Sequence, residues 1–426
     1  MSSSCSEAKF TLANPLASAP SCRVCNAPLQ QSFVDLGMIP LCQSYTEEKD
    51  LERGEMFYPL RADVCMSCYY IGLPEYVSAE EIFTEYAYFS SVSESWIRYV
   101  RDSVEALTRE FELDASSQVV EMASNDGYLL QYFVQQGIPA LGVEPATNVA
   151  KVANDKGVPT IAKFFNRETA AELKAAGKSA DLLLAYNCLD HVPNLNDVLA
   201  GMKLLLKRRG VIQVEVPYLR SMVEGNQFDT IYHDRFSYLS FLAAHHVFTC
   251  NGLRIFDVVR IPTHGGSLRL RACHADNPKR PDLPSVAQLL SDEEDCGMKS
   301  AEYYAAFMCR VAATKHNLLE FLVHLKRESR SIVGYGVPAK GNVLLNYCGI
   351  RGDFLEYLVD RSPYKCGKYA PGTKLPIRAV EHIRITRPDY VFILPWNIKD
   401  EIVEQMAYIR EWGGKFFVAV PHIEVL

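Results

Sequence analysis

The chain has 426 residues, which is too long for a single hydrophobic core and predicts two or three domains. Its net charge of −7 argues against nucleic acid as the main partner, because it provides no basic surface for a polyphosphate backbone. No apolar run reaches the ~18–20 residues that span a bilayer, and thirteen mostly scattered cysteines favour a reducing compartment, so we expect a cytoplasmic monomer without a membrane partner.

The N-terminal part carries two CxxC pairs. Residues 1–20 are small and polar and predict a disordered tail, with no basic start or apolar stretch typical of a secretory signal. Residues 21–76 then predict a zinc-binding domain, because two CxxC turns complete a closed tetrahedral shell of thiolates. A closed shell indicates a structural ion. The predicted ligands are Cys22, Cys25, Cys65 and Cys68.

The remaining chain predicts an α/β protein. Within residues 77–284, apolar residues at helical spacing come first, and from Ser117 buried strands alternate with helices, which predicts a doubly wound, Rossmann-like sheet. Residues 285–330 predict a helical connector. A second alternation of strands and helices over residues 331–426 predicts a C-terminal Rossmann-like domain.

The turn after the first central strand predicts a nucleotide site. The run from Glu121 to Gly127 (EMASNDG) joins a strand to a helix, and Glu144 ends the next strand, where a carboxylate accepts hydrogen bonds from ribose hydroxyls. A single glycine suits a ligand with adenosine and no phosphate, such as S-adenosylmethionine (SAM), better than a dinucleotide. On spacing alone, an ordinary strand-to-helix turn stays an equal alternative. The predicted SAM contacts are Glu121, Ser124, Asn125, Asp126, Gly127, Glu144 and Asn187.

The C-terminal lobe carries a second candidate nucleotide turn. Gly336 with Lys340 nearby suits a diphosphate, through backbone N–H groups and one positive charge. Asp360, which closes the following strand, also fits the acidic residue of a dinucleotide site, so NAD binding stays the alternative. Together with Asn342, these residues are the predicted substrate contacts.

The segment Tyr232–Ser240 (YHDRFSYLS) concentrates reactive side chains. A phenol, an imidazole, a carboxylate and a guanidinium follow one another from Tyr232 to Arg235. If the segment is extended, Tyr232 and Asp234 face one side while His233 and Arg235 face the other; if it is a loop, all four approach one site.

These motifs together resemble the bacterial nucleotide-sugar C-methyltransferases of branched-deoxysugar biosynthesis, over nearly the whole chain from Ser21 to Leu426. The resemblance rests on the cysteine quartet, EMASNDGYLL, DHVPNL, YHDRFSYLS, THGGSLR, the GYGVPAKGNVLLNYCGI and DRSPYKCGKYAPGTKLPI runs, and Pro395-Trp396-Asn397. It implies a zinc-binding domain, a SAM-dependent methyltransferase domain and a C-terminal domain that helps to hold the nucleotide-sugar. The implied reaction is methylation at C3 of a nucleotide-linked 4-keto-deoxysugar, through an enolate.

One position departs from the family pattern. The usual form is YHEHF, whose second histidine is the proposed base, whereas this chain has Asp234 and Arg235, and arginine does not deprotonate in proteins. Three explanations stay open: His191, His233 or Tyr86 takes the proton while Arg235 stabilises the enolate; the substrate differs; or the chain only binds its ligands. The candidate catalytic residues are Tyr86, His191, Tyr232, His233, Asp234 and Arg235.

The sequence leaves other functions open. The main rival is an NAD-dependent nucleotide-sugar epimerase or dehydrogenase that uses the C-terminal lobe, followed by a non-catalytic sugar-nucleotide-binding protein and, more distantly, an RNA methyltransferase. His264 in THGGSLR is interpreted as a turn residue without a catalytic role.

Overall fold

The computed structural model describes residues 20–83 and 89–426. Its strands, in chain order, are β1 (Gln31–Ile39), β2 (Tyr58–Val64), β3 (Ile71–Gly72), β4 (Val119–Met122), β5 (Ala140–Val143), β6 (Thr160–Ile161), β7 (Ala180–Tyr186), β8 (Leu206–Pro217), β9 (Ser237–Tyr238), β10 (Leu253–Ile261), β11 (Ser267–His274), β12 (Ile332–Tyr335), β13 (Leu358–Val359), β14 (Ile377–Arg378), β15 (Tyr390–Ile393), β16 (Lys415–Val418) and β17 (Glu424–Val425).

The helices surround and connect these strands. They are α1 (Ala79–Phe83), α2 (Glu94–Glu110), α3 (Leu130–Gln135), α4 (Thr147–Asp155), α5 (Arg167–Ala175), α6 (Leu195–Leu205), α7 (Leu219–Glu224), α8 (Phe241–Cys250), α9 (Pro284–Asp295), α10 (Ala301–Arg327), α11 (Ala339–Cys348), α12 (His382–Thr386) and α13 (Lys399–Gln405).

Local sequence explains where several helices begin. Asn166 before α5, Asn194 before α6 and Ser240 before α8 each accept a hydrogen bond from a backbone N–H of the first turn. Such caps satisfy amides that have no partner inside the helix. Between these helices, the central strands are buried along their length, because both faces of the sheet are covered.

The central sheet is mixed. Its order is β10-β11-β8-β7-β4-β5-β6, with parallel pairing from β8 to β6 and antiparallel pairing of β10 and β11 at one edge. The predicted α/β class is confirmed, while the antiparallel pair departs from an all-parallel sheet. The C-terminal sheet, β14-β13-β12-β15-β16-β17, is parallel except for β17, which agrees with the predicted second lobe.

The zinc-module sheet takes a strand from a distant part of the sequence. Its order is β1-β2-β3-β9, and β9 lies in the YHDRFSYLS segment of the central region. On its other side, α10 packs against β1, and Phe33 stacks on Phe307 with ring centroids 4.8 Å apart. The domain boundaries at 76/77, 284/285 and 330/331 stay predictions, since these contacts run across them.

Among the described residues, we find no helix with the length and apolar character that crossing a bilayer requires.

Candidate active site and zinc centre

The four cysteines of the N-terminal module converge on one point. Their Sγ atoms all lie within 4.8 Å of one another, with Cys22 Sγ 3.6 Å from Cys68 Sγ and Cys25 Sγ 3.5 Å from Cys65 Sγ. A tetrahedron with Zn–S bonds of ~2.3 Å has edges of about 3.8 Å, so the observed spacing fits one zinc ion. The shell leaves no coordination position for a substrate, and its role is structural.

The second cysteine knuckle leads directly into a contact with the central domain. Tyr70 follows Cys68 by two residues, and its hydroxyl donates to the carbonyl oxygen of Phe236 at 3.1 Å and lies 2.9 Å from Ser237 Oγ. The backbone N–H of Leu73 donates to the same carbonyl at 3.0 Å. The zinc module therefore fixes the backbone immediately after Arg235.

The predicted cofactor turn has an unusual backbone. Ala123, Asn125 and Gly127 all have positive φ, at 52°, 48° and 74°. The turn is tightly packed at Gly127, where an added Cβ would lie 3.0 Å from Val158 Cβ. Non-glycine residues in this region carry strain of roughly 1–3 kcal/mol each, and such residues cluster at ligand sites.

Buried polar atoms collect around this turn. Glu144 is 5% exposed, and its two carboxylate oxygens accept from the backbone N–H groups of Asn125 and Ala146, each at 2.9 Å. Burial raises the pKa of Glu144 and raises the pKa of Glu121 well above its usual range. A polar ligand would satisfy several atoms that have no hydrogen-bond partner among the described residues: both carboxylate oxygens of Glu121, Ser124 Oγ, Asp126 Oδ1 and Asn187 Oδ1.

The segment before α2 covers the turn. The backbone N–H of Ser90 donates to Asn125 Oδ1 at 2.8 Å, and Ser91 Oγ donates to Asp126, which also forms an ion pair with Lys156 at 2.8 Å. Tyr86, one of the predicted catalytic residues, lies outside the described residues.

The reactive segment forms a turn, which rules out the extended alternative. The N–H of Arg235 donates to the Tyr232 carbonyl at 2.9 Å, and the Arg235 guanidinium lies 5.0 Å from the centre of the Tyr232 ring. His233 does not join them: its Nε2 lies 3.2 Å from the Pro59 carbonyl oxygen in the zinc module. The role of His233 as a proton acceptor stays a prediction. Asp234, within this turn, is 3% exposed.

The strand β7 delivers a carboxylate that the sequence analysis did not single out. Asp190 is 3% exposed, and its Oδ2 lies 3.0 Å from Arg235 Nε and 3.7 Å from His191 Nε2. His191 Nδ1 lies 2.5 Å from the Asp234 carbonyl oxygen. Since a carbonyl only accepts, Nδ1 carries the hydrogen and Nε2 carries the lone pair. The signal for Asp190 was its position next to His191 at the end of a buried strand.

A narrow cleft lies beside the Asp190–Arg235 pair. Its wall includes His264, whose ring packs edge-on against Trp96, with the ring centroids 5.2 Å apart. Trp96 also stacks on Tyr128, which lies next to the cofactor turn. The two sites are therefore neighbours. The remaining lining residues are Pro217, Tyr218, Leu219, Met222, Gln227, Thr230, Ser237, Tyr238 and Gly266.

The C-terminal domain brings a cation towards this centre. Lys340 Nζ lies 2.8 Å from Asn397 Oδ1 and 4.5 Å from the centre of the Trp396 ring, and Trp396 Nε1 donates to Asp229 Oδ2 at 2.8 Å. Burial and the charge of Arg235 lower the pKa of Lys340 to about 8, against the opposing effect of Asp229. Burial raises the pKa of Asp229 to about 6.

The other predicted substrate residues of this domain have internal roles. Gly336 is covered by Pro395, whose Cδ would lie 2.6 Å from an added Cβ. The Asp360 carboxylate accepts from the N–H groups of Val337 and Ser362, each at 2.8 Å. Asn342 is 1% exposed and donates to the Cys42 carbonyl at 2.7 Å. The assignments of Gly336, Asn342 and Asp360 to the substrate stay predictions.

Three family descriptions match successive parts of the chain. Residues 22–83 match a putative zinc binding domain, residues 94–257 a methyltransferase domain, and residues 262–421 a C-methyltransferase C-terminal domain. A curated relative, C-methyltransferase NovU from Streptomyces niveus, is 34% identical over 407 residues, covering 95% of this chain and 96% of the relative.

Solved structures of other methyltransferases are much more distant. Magnesium protoporphyrin IX methyltransferase from Synechocystis PCC 6803, with bound SAM, is 15% identical over 42% of this chain and 79% of its own, with a TM-score of 0.32. The 1,6-didemethyltoxoflavin-N1-methyltransferase of Burkholderia thailandensis is 17% identical over 43% of this chain and 80% of its own, also with a TM-score of 0.32. Likenesses at this level carry no argument about this chain.

The family matches and the full-length relative agree with the two sites described above. They show a methyltransferase, where an NAD-dependent dehydrogenase was the main alternative. The four-thiolate site lies in the part of the chain that matches the zinc-binding domain. The chain belongs to the family of SAM-dependent C-methyltransferases that combine a zinc-binding domain, a methyltransferase domain and a C-methyltransferase C-terminal domain.

Proposed function

We propose that this protein transfers the methyl group of SAM to the carbon next to the ketone of a nucleotide-linked 4-keto-deoxysugar, at C3. The observation that carries the proposal is the buried Asp190–Arg235 pair beside the cleft, next to the cofactor turn. Carbon methylation next to a ketone requires a stabilised enolate oxygen, and a fixed guanidinium stabilises developing negative charge in a water-poor site. The C3 position and the keto-sugar follow from the family resemblance.

The cofactor would be held at the turn after β4. Glu144 would accept hydrogen bonds from the ribose hydroxyls, and this assignment is supported by the buried polar atoms without partners on Ser124, Asp126 and Asn187 and by the buried carboxylate of Glu121. When bound, SAM supplies an electrophilic methyl group on a positive sulfonium, which favours attack by a carbanion.

His191 is the residue that we assign as the proton acceptor. Its Nε2 carries the lone pair, and the Asp190 carboxylate at 3.7 Å would stabilise the imidazolium that forms when the α-proton is taken. Arg235, on the other side of Asp190, stays protonated and serves the enolate oxygen. With these roles, the proposal follows the first of the three explanations for the missing histidine, in which another residue takes the proton and Arg235 stabilises the enolate.

A His191→Asn variant tests this assignment. We expect kcat to fall by roughly 10²–10⁴-fold, which is the usual contribution of a general base. Without SAM, the wild type should exchange the α-hydrogen of the sugar in deuterated water, and the variant should not. His246→Asn, on the α8 helix and outside the cleft, is the control. Equal exchange rates in the wild type and His191→Asn would contradict the assignment.

The nucleotide end of the substrate is assigned to the C-terminal domain. Lys340 is the cation that we propose for the diphosphate, because its ammonium group is close enough to Asp229 and Arg235 for their charges to shift its pKa. Gly336, Asn342 and Asp360 are not carried into the proposal.

The overall reaction is tested with labelled SAM and a panel of dTDP- and GDP-4-keto-sugars. We expect C-methylated product from at least one sugar, and NMR of that product distinguishes C3 from C5, which both flank a C4 ketone. Calorimetry with SAM and NAD on the same sample is the control for cofactor choice. Binding of SAM and sugar without methyl transfer would leave the chain a binding protein and contradict the proposal.

We also infer that the protein works as a monomer in the cytoplasm. The described cysteines are free thiols, apart from the four at the zinc centre, and this fits a reducing compartment. Light scattering on the purified protein tests the monomer.

A further inference from the structure

His264 lies in the cleft without a role in the mechanism above. It lies in a tight turn, Thr263–Gly265, and its own φ is 55°. The next two residues, Gly265 and Gly266, have φ of 90° and 112°. Three successive residues with positive φ form a backbone that a bulky residue rarely adopts. Such a backbone persists where the surroundings enforce it, and strained residues of this kind concentrate at functional sites.

The turn is held by packing from the α7 region. Gln227 Nε2 donates to the Gly265 carbonyl at 2.9 Å, and an added Cβ on Gly265 would lie 2.8 Å from Gln227 Oε1. An added Cβ on Gly266 would lie 2.5 Å from Ser221 Oγ. The imidazole is thus presented to the cleft by a turn that cannot shift without displacing these neighbours.

The side chain is exposed and lines the cleft. Desolvation by the protein around the ring, together with the positive charges of Arg235 and Lys340, lowers the pKa of His264 below its ordinary value, and Asp190 opposes the shift. At neutral pH the ring is therefore uncharged and offers one N–H donor and one nitrogen lone pair.

The surrounding charged groups differ from His264 in what they can offer a sugar. Arg235 and Lys340 only donate hydrogen bonds. Two carboxylates of this region carry negative charge: Asp190 lies 3.0 Å from Arg235, and Asp229 accepts from Trp396 at 2.8 Å through one of its oxygens. His264 is the uncharged group beside them in the cleft, and its lone pair can accept from a neutral hydroxyl of the substrate.

We propose that His264 is a further catalytic residue, which binds the acceptor sugar by accepting a hydrogen bond from the ring hydroxyl next to the keto group. The proposal rests on the sugar substrate proposed above. It assigns His264 to recognition of the substrate, while His191 takes the proton and Arg235 faces the enolate oxygen.

Two substitutions separate the imidazole from the backbone that carries it. His264→Gly removes the side chain and relieves the left-handed backbone, whereas His264→Asn keeps a side-chain acceptor and tolerates a positive φ. Ser329→Gly, at an exposed left-handed position with φ of 58° after α10, is the matched control for the backbone change.

The probe is dTDP-4-keto-6-deoxyglucose, with KM measured for this sugar and for SAM, and with the sugar's Kd measured by calorimetry. We expect His264→Gly to raise the KM and Kd of the sugar by about tenfold, which is the effect of one lost hydrogen bond, and to leave the KM of SAM within about twofold. His264→Asn should retain most of the sugar affinity, and Ser329→Gly should match the wild type.

Unchanged sugar affinity in His264→Gly overturns the inference, and so does an equal rise of both KM values, which would indicate a structural role. If the wild type neither binds nor methylates this probe or any sugar of the panel, the proposed function fails and the inference fails with it. If the wild type binds the sugar and His264→Gly binds it equally well, only the inference about His264 fails.

Discussion

Replacing Cys65 with serine is expected to release the zinc ion and to abolish methyl transfer, although Cys65 does not line the cleft. The free energy of binding a structural zinc ion is also folding free energy, roughly 10–16 kcal/mol in isolated zinc modules. We expect the zinc content to fall from about one ion per chain to near zero, and the melting temperature to fall by about 10 °C or more.

Activity is lost because the knuckle supports the active-site turn. Tyr70, five residues after Cys65, donates to the Phe236 carbonyl at 3.1 Å, and β3 pairs with β9 directly beyond it. When the knuckle opens, these contacts no longer fix the backbone that carries Arg235.

The measurements are metal analysis, thermal unfolding and turnover on one preparation. Cys309→Ser is the matched control, because Cys309 is exposed and belongs to α10. A Cys65→Ser protein that lacks zinc and still turns over at the wild-type rate would contradict the coupling between the zinc centre and the cleft.

Replacing Arg235 with methionine is expected to lower kcat by roughly 10²–10³-fold, the usual effect of removing one donor from an oxyanion site. The KM of SAM should stay near the wild-type value, because we assign Arg235 to the enolate oxygen and the turn after β4 to SAM. Arg235→Lys should restore part of the rate, since it keeps the charge and loses the planar geometry. The measurement is steady-state kinetics with both substrates varied.

The same experiment addresses the departure from the family pattern. Arg235→His restores the usual family residue, and an unchanged rate in this variant and in Arg235→Met would show that Arg235 is peripheral. Arg410→Met, at an exposed position of the C-terminal domain, controls for the loss of an arginine. The stability of Arg235→Met needs its own measurement, because Asp190 would be left as a buried carboxylate without its cation.

The sequence predicted the parts of the fold that depend on local patterns. The two CxxC turns, the alternating strands and helices, and the helices over 285–330 all have short-range signals, and the structure contains them. The pairing of β3 with β9 had no such signal, because each strand has two residues and Gly72 pairs with Ser237, which lies 165 positions further along the chain. The antiparallel β10–β11 pair was missed for a similar reason, since an alternating run does not state the direction of its partner.

The site was predicted in outline, and its errors have a common physical cause. Residue type and motif placed His191 and Arg235 close together, and the structure brings them to either side of Asp190. The direction of a side chain depends on tertiary contacts: His233, a predicted catalytic residue, and Asn342, a predicted substrate contact, both bind backbone carbonyls. His264 was missed because a histidine before two glycines indicates a turn, and the sequence does not show what the turn faces.

The shared strand β9 also defines what can be exchanged between related enzymes. A chimera that takes only residues 21–76 from a relative would keep this chain's own strand at 237–238. The new β3 would then face a strand from a different protein, and the native β3–β9 pairing would be broken. The segments that must be exchanged together are discontinuous in sequence: the cysteine module and the segment from Tyr232 to Ser240. A chimera that takes both segments from one relative would keep the zinc module matched to the wall of the cleft. A chimera that takes only one of them would combine a zinc module and a cleft wall from different proteins.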